Sequence, residues 1–103
     1  MFLFKKVPTI SMDQLENKLT QPIELIDVRS QMEYEGGHIA KSKNVPLDRI
    51  KSYKGKINKP VYVICQSGAR SKQATDYLIK AGYDAFNVQG GMNQWKKSVK
   101  VGK

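Results

Sequence analysis

Val61-Tyr62-Val63-Ile64-Cys65-Gln66-Ser67-Gly68-Ala69-Arg70-Ser71 joins an apolar, β-branched run to a short loop and then to a helical pattern. A run that is apolar throughout, with no polar alternation, suits a strand covered on both faces, as in the middle of a parallel sheet. It ends on Cys65, the only cysteine of the chain. The following residues are small or polar apart from Arg70, and Gly68 opens backbone angles closed to a side chain. Successive N–H groups of such a loop can converge on an anion. A helix beginning at Ser71 adds the positive end of its dipole at the same place. A thiol at the bottom of this cradle is favoured as thiolate, its nucleophilic form. The competing reading is an inert cysteine packed at a strand end, which is common for a lone thiol. The cradle that follows Cys65 argues for a functional thiol instead.

Working outward, the pattern alternates strands and helices. Thr9-Ile10 predicts a short edge strand. Ser11 and Gln14 form a capping box, followed by Met12, Leu15 and Leu19 on one helix face. Pro22 precedes a mostly apolar strand, 23–28. Ser30 and Glu33 form a second capping box, and Gly36-Gly37 ends that short helix. Asn44-Val45 reads as a short strand stopped by Pro46, with helical turns over 47–52. The spacing of Ala74, Tyr77, Leu78 and Ala81 predicts the longest helix over 71–81, with Gly82 just past its end. Ala85 to Val88 is a further strand, and Gly90-Gly91 leads into a short helix carrying Met92 and Trp95. This order implies an α/β fold with a central parallel sheet of about five strands and helices on both faces. In such folds ligands sit at the carboxyl ends of strands, where Cys65 lies.

The chain has 103 residues, enough for one domain with a modest core. We expect a single domain over 1–103, with its core at 9–96 and a loosely held basic tail at 97–103. No apolar run is long enough to span a membrane. The start, Met1 to Lys6, places its charges after a very short apolar patch, the reverse of a secretory signal. A lone thiol suits a reducing compartment, so a cytoplasmic location is expected. One cysteine and one histidine, His38, allow neither a disulfide nor a Cys-x-x-Cys pair nor a Cys/His metal site. No metal and no cofactor are therefore expected. The net charge of +9 comes from 15 lysines and 3 arginines scattered along the chain. Without basic-aromatic interleaving or a nucleic-acid motif, it reads as solubility and anion steering rather than nucleic-acid binding.

Several motifs together resemble the small single-domain members of the rhodanese family, over roughly Ile10 to Trp95. They are Asp27-Val28-Arg29, Glu33-Tyr34 followed by Gly37-His38-Ile39, Asn44-Val45-Pro46-Leu47, the loop Cys65 to Ser71, and Gly90-Gly91-Met92 with Trp95. Each is weak alone; their joint order and spacing are specific. The resemblance implies sulfurtransfer, with Cys65 as a persulfide-forming nucleophile. Gln66, Ser67, Gly68, Ala69, Arg70 and Ser71 would then bind substrate, and Asp27 and Arg29 would support the site. The implied donors are thiosulfate or another sulfane-sulfur compound. The implied acceptors are cyanide or an external thiol, with a protein acceptor also open, and a monomer is the default. Gln66 stands where many such loops carry a basic residue, which removes a positive charge. Lys41-Ser42-Lys43 stands where the family often has Gly-Ala, and these lysines are expected near the site's mouth.

Other residues have plainer readings. Asp27 bonds to nearby N–H groups or Arg29 rather than acting as an acid. His38 is a turn residue, Glu33 a capping residue, Trp95 and Tyr77 core residues, and Ser71 a loop hydrogen-bonder that doubles as N-cap. Two alternatives remain. One is a sulfur-carrier or docking module with little free turnover. The other is a related phosphatase or arsenate reductase. Against it, tyrosine-phosphatase-like loops use Cys-x5-Arg to grip phosphate, whereas this chain has the tighter Cys-x4-Arg.

Overall fold

The computed structural model describes residues 6–103; the apolar start at Met1 to Phe4 lies outside the described residues. Five strands form one sheet in the order β1-β5-β4-β2-β3, with every pairing parallel. They are β1 (Thr9–Ile10), β2 (Glu24–Asp27), β3 (Lys43–Asn44), β4 (Val61–Ile64) and β5 (Ala85–Val88). Three α-helices connect them: α1 (Met12–Lys18), α2 (Gln31–Glu35) and α3 (Ala69–Lys80). Two 3₁₀ turns, Leu47–Ser52 and Gly91–Gln94, complete the chain.

The apolar run of β4 is buried throughout and occupies the centre of the sheet. Its period of two divides the core. Val61, Val63 and Cys65 pack with Ala74 and Leu78 of α3 and with Ile50 on one face. Tyr62 and Ile64 pack with Met12 and Leu15 of α1 on the other, where Met92 and Trp95 also lie. The thiol thus belongs to the face that α3 covers. Both capping boxes form, at Ser11/Gln14 and Ser30/Glu33.

Boundaries shift by a residue or two. The strand expected over 23–28 pairs only over Glu24–Asp27, and β3 is Lys43–Asn44 rather than Asn44-Val45. The tail is not loose. His38 and Lys100 exchange backbone hydrogen bonds of 2.9 and 2.8 Å, and Gly102 N–H donates to the Glu35 carbonyl at 2.7 Å. Backbone pairing with the turn after α2, together with the Lys97–Glu16 ion pair at 3.5 Å, holds this segment. Among the described residues, no helix is long and apolar enough to cross a membrane.

Candidate active site

Cys65 is 1% exposed and sits just past the carboxyl end of β4, beneath the loop that leads into α3. The Gly68 N–H donates to its Sγ at 3.0 Å, and Sγ lies 3.3 Å from the Ser71 hydroxyl. Burial pushes the thiol up, but the Ser71 hydroxyl and the N–H groups of Ser71, Gly68 and Ser67 outweigh it. The net shift is downward, toward thiolate. Gly68 has φ of 113°, a left-handed conformation, and is the N-cap of α3.

The helix therefore starts two residues before the expected Ser71, and Gly68, not Ser71, is its N-cap. Ser71 lies inside the first turn, fully buried. Its Oγ is free to face Cys65 because the glycine, not the serine, makes the entry into the helix. Ser67 and Ala69 are exposed on the rim of the loop.

Arg70 does not reach over the thiol. Its guanidinium makes two hydrogen bonds to Glu33, at 2.7 and 3.0 Å. The same carboxylate accepts from the Ser30 N–H, so the capping residue of α2 also anchors the start of α3. Arg29 is buried and wraps Asp27, with Nε at 3.0 and 3.1 Å from the two carboxylate oxygens and Nη2 at 2.8 Å. The Arg29 N–H also donates to Asp27, as expected for a carboxylate that organises the strand end. Two further donors of Arg29 go to the Gly37 carbonyl at 2.8 Å and to Gln66 Oε1 at 3.1 Å. Gln66 in turn donates to Asn93 Oδ1 at 2.7 Å. The side chain of Gln66 is thus held between two parts of the scaffold.

Below the loop, the Met92 N–H donates to the Cys65 carbonyl at 2.8 Å and the Asn93 N–H to the Gln66 carbonyl at 3.0 Å. This approach requires Gly91, since a Cβ there would lie 2.3 Å from the Cys65 carbonyl oxygen. Asn44 closes the other side by donating to the Asp27 and Arg29 carbonyls at 3.0 and 2.9 Å.

Two expectations are corrected by distance. Lys41 donates to the carbonyls of Leu19 and Gln21, both at 2.7 Å, and Lys43 pairs with Glu24 at 3.5 Å. Those partners lie at the amino end of β2, opposite the thiol, so neither lysine lines the mouth of the site. His38 is buried, stacked on Tyr34 with ring centroids 3.6 Å apart, and donates from Nδ1 to the Tyr34 carbonyl. It holds the turn, as expected. Asn87 was missed by the sequence reading; it is fully buried on β5 and contacts Ser71. A single amide inside the run Ala85-Phe86-Asn87-Val88 was its signal.

The profile of the rhodanese-like domain family matches residues 11–98. The chain is 42% identical over 83 residues to a Bacillus subtilis protein named uncharacterized protein YqhL, covering 78% of this chain and 66% of that one. It is 30% identical over 96 residues to thiosulfate sulfurtransferase GlpE of Pseudomonas savastanoi, covering 90% of this chain and 88% of that one. Among solved structures, a rhodanese-like domain protein from Staphylococcus aureus superposes with a TM-score of 0.84 at 34% identity, covering 93% of this chain and 99% of that one.

Proposed function

Because the chain belongs to the rhodanese-like domain family, we propose that it moves a sulfane sulfur atom through a persulfide on Cys65. The observation that carries this reading is the Sγ itself, which receives the Gly68 N–H at 3.0 Å inside a loop of inward-facing donors. In the first half-reaction the thiolate attacks the outer sulfur of thiosulfate or another sulfane donor. A sulfur–sulfur bond forms to Cys65, and the electron pair of the broken bond leaves with sulfite or the donor's thiolate. The loop N–H groups that favoured the thiolate then face the new terminal sulfur anion. In the second half-reaction cyanide or an external thiol attacks that terminal sulfur, and the Cys65 thiolate is the leaving group. This is covalent catalysis in two steps.

Arg70 is bound to Glu33, so its guanidinium is committed away from gripping phosphate oxygens at Sγ. That geometry speaks against the phosphatase or arsenate reductase alternative. One feature favours the carrier reading within the family. Both guanidiniums at the loop, Arg29 and Arg70, are bonded to carboxylates, and Gln66 is neutral. An anionic donor such as thiosulfate meets little unpaired positive charge there, which suits transfer from a thiol persulfide or a partner protein.

The test is intact-protein mass spectrometry after incubation with thiosulfate and, separately, with a thiol persulfide. A gain of about 32 Da on wild type and none on Cys65→Ala is the expected result for a covalent sulfur adduct. An adduct retained in Cys65→Ala, or none from either donor, overturns the reading. A stable adduct together with poor thiosulfate:cyanide turnover selects the carrier form.

A further inference from the structure

Ser71 Oγ has three polar neighbours and one proton. It lies 2.5 Å from Asn87 Oδ1, 3.0 Å from the Gly68 carbonyl and 3.3 Å from Cys65 Sγ. A hydroxyl donates once and accepts twice. While Cys65 is a thiol, the S–H donates to Ser71 Oγ and the hydroxyl proton goes to an oxygen acceptor. Once Cys65 is a thiolate, the sulfur has become an acceptor and needs that same proton. Asn87 is the nearer claimant. Its amide orientation follows from its other end, where Nδ2 faces Thr9 Oγ1 at 3.5 Å. The Thr9 hydroxyl already donates to the Val7 carbonyl at 2.9 Å, so it can only accept from Asn87. Oδ1 is thereby left facing Ser71.

We propose that Asn87 is a positioning residue for the nucleophile: its Oδ1 competes with Cys65 Sγ for the single proton of the Ser71 hydroxyl. The amide holds that proton away from the sulfur while the site rests. The hydroxyl turns to Sγ only at the expense of its bond to Asn87. The competition restrains ionisation of the thiol and keeps the resulting thiolate more basic, hence more nucleophilic, than the cradle alone would leave it. Asn87 acts on the sulfur through Ser71, which it contacts from the neighbouring strand β5.

The charged groups near Cys65 lie elsewhere. Arg70 acts on it electrostatically from α3 and is paired with Glu33 of α2, while Asp27 at the end of β2 and Arg29 just after it are paired with each other. Replacing Asn87 alters none of these pairs, so a shift in the thiol's titration reports on the hydroxyl.

The inference rests on the reading of Cys65 as the working thiol, yet its test needs no sulfur transfer. The rate of alkylation by iodoacetamide is measured against pH for wild type, Asn87→Ala, Ser71→Ala and the double variant. The expected result is an inflection lowered by about one pH unit in Asn87→Ala, because the hydroxyl has lost its nearest acceptor and only the Gly68 carbonyl still competes with the thiolate. In the Ser71→Ala background the same replacement is expected to move nothing. An unchanged or raised inflection in Asn87→Ala overturns the proposal, as does an equal shift with and without Ser71. Should Asn87→Ala lose its circular dichroism spectrum, Asn87→Leu fills the space without an acceptor and is read by the same criteria. Failure of sulfur transfer with the expected alkylation pattern would strike the sulfurtransferase reading and leave this one standing.

Discussion

Glu33 and Arg70 are joined by two hydrogen bonds of 2.7 and 3.0 Å, so the first turn of α2 holds the first turn of α3. The Arg70 side-chain hydrogen bonds hold the Glu33 carboxyl at about 2, well below its ordinary 4.5. A carboxylate depressed on folding adds stability above its unfolded value, and that stability is lost as pH falls from 4.5 toward 2. Both side chains are 37% exposed, so water screens the pair and its contribution is no more than about 1 kcal/mol. Glu33→Gln is expected to lower the urea midpoint at pH 7 and to flatten its decline between those pH values. An equal acid slope in variant and wild type would refute the assignment.

Arg29 is buried with Asp27, and removing it leaves an unpaired carboxylate inside the protein. Arg29→Met is expected to cost about 3–5 kcal/mol in chemical unfolding. Arg29→Lys keeps the charge but cannot wrap Asp27 and also reach Gly37 and Gln66. It is expected to fold with reduced stability and a loosened loop, seen as faster amide exchange at Gln66 and Ser67.

Gly91 combines a φ of 57° with the close approach to the Cys65 carbonyl. Gly91→Ala is expected to lose at least about 2 kcal/mol from strain and overlap. Differential scanning calorimetry measures this, and a melting temperature within a degree of wild type would contradict the packing described.

Ser71 supplies the foremost of the hydrogen bonds that draw the Cys65 thiol downward against burial. Ser71→Ala is expected to raise the pH at which alkylation of Cys65 is half-maximal.

The tail contributes through backbone bonds at Lys100 and Gly102. Deleting residues 99–103 is expected to cost about 2 kcal/mol, the sum of a few such bonds. Alkylation of Cys65 is expected to stay unchanged, since the tail meets the turn at His38 and not the loop. A fall in reactivity equal to the fall in stability would show that the two are coupled.

The sheet, its parallel sense and the position of the thiol were legible in the chain because they rest on local signals. An unbroken apolar strand, two capping boxes and glycines at turns act within a few residues of one another. The motif order from Asp27 to Trp95 pointed to the family for the same reason. The hydrogen-bond partners of the polar side chains emerge only from the folded arrangement. Nothing near Gln66 in the sequence announces that Arg29 and Asn93 hold its side chain. Lys41 and Lys43 were expected at the mouth, yet their long stems reach acceptors at the other end of β2. Arg70 turned to Glu33, far away in sequence, and Asn87 met Ser71 across β5 and α3. Local pattern sets which backbone segments form. The partners of a buried or half-buried polar group are chosen only when the folded sheet brings distant donors and acceptors together and leaves few alternatives without water.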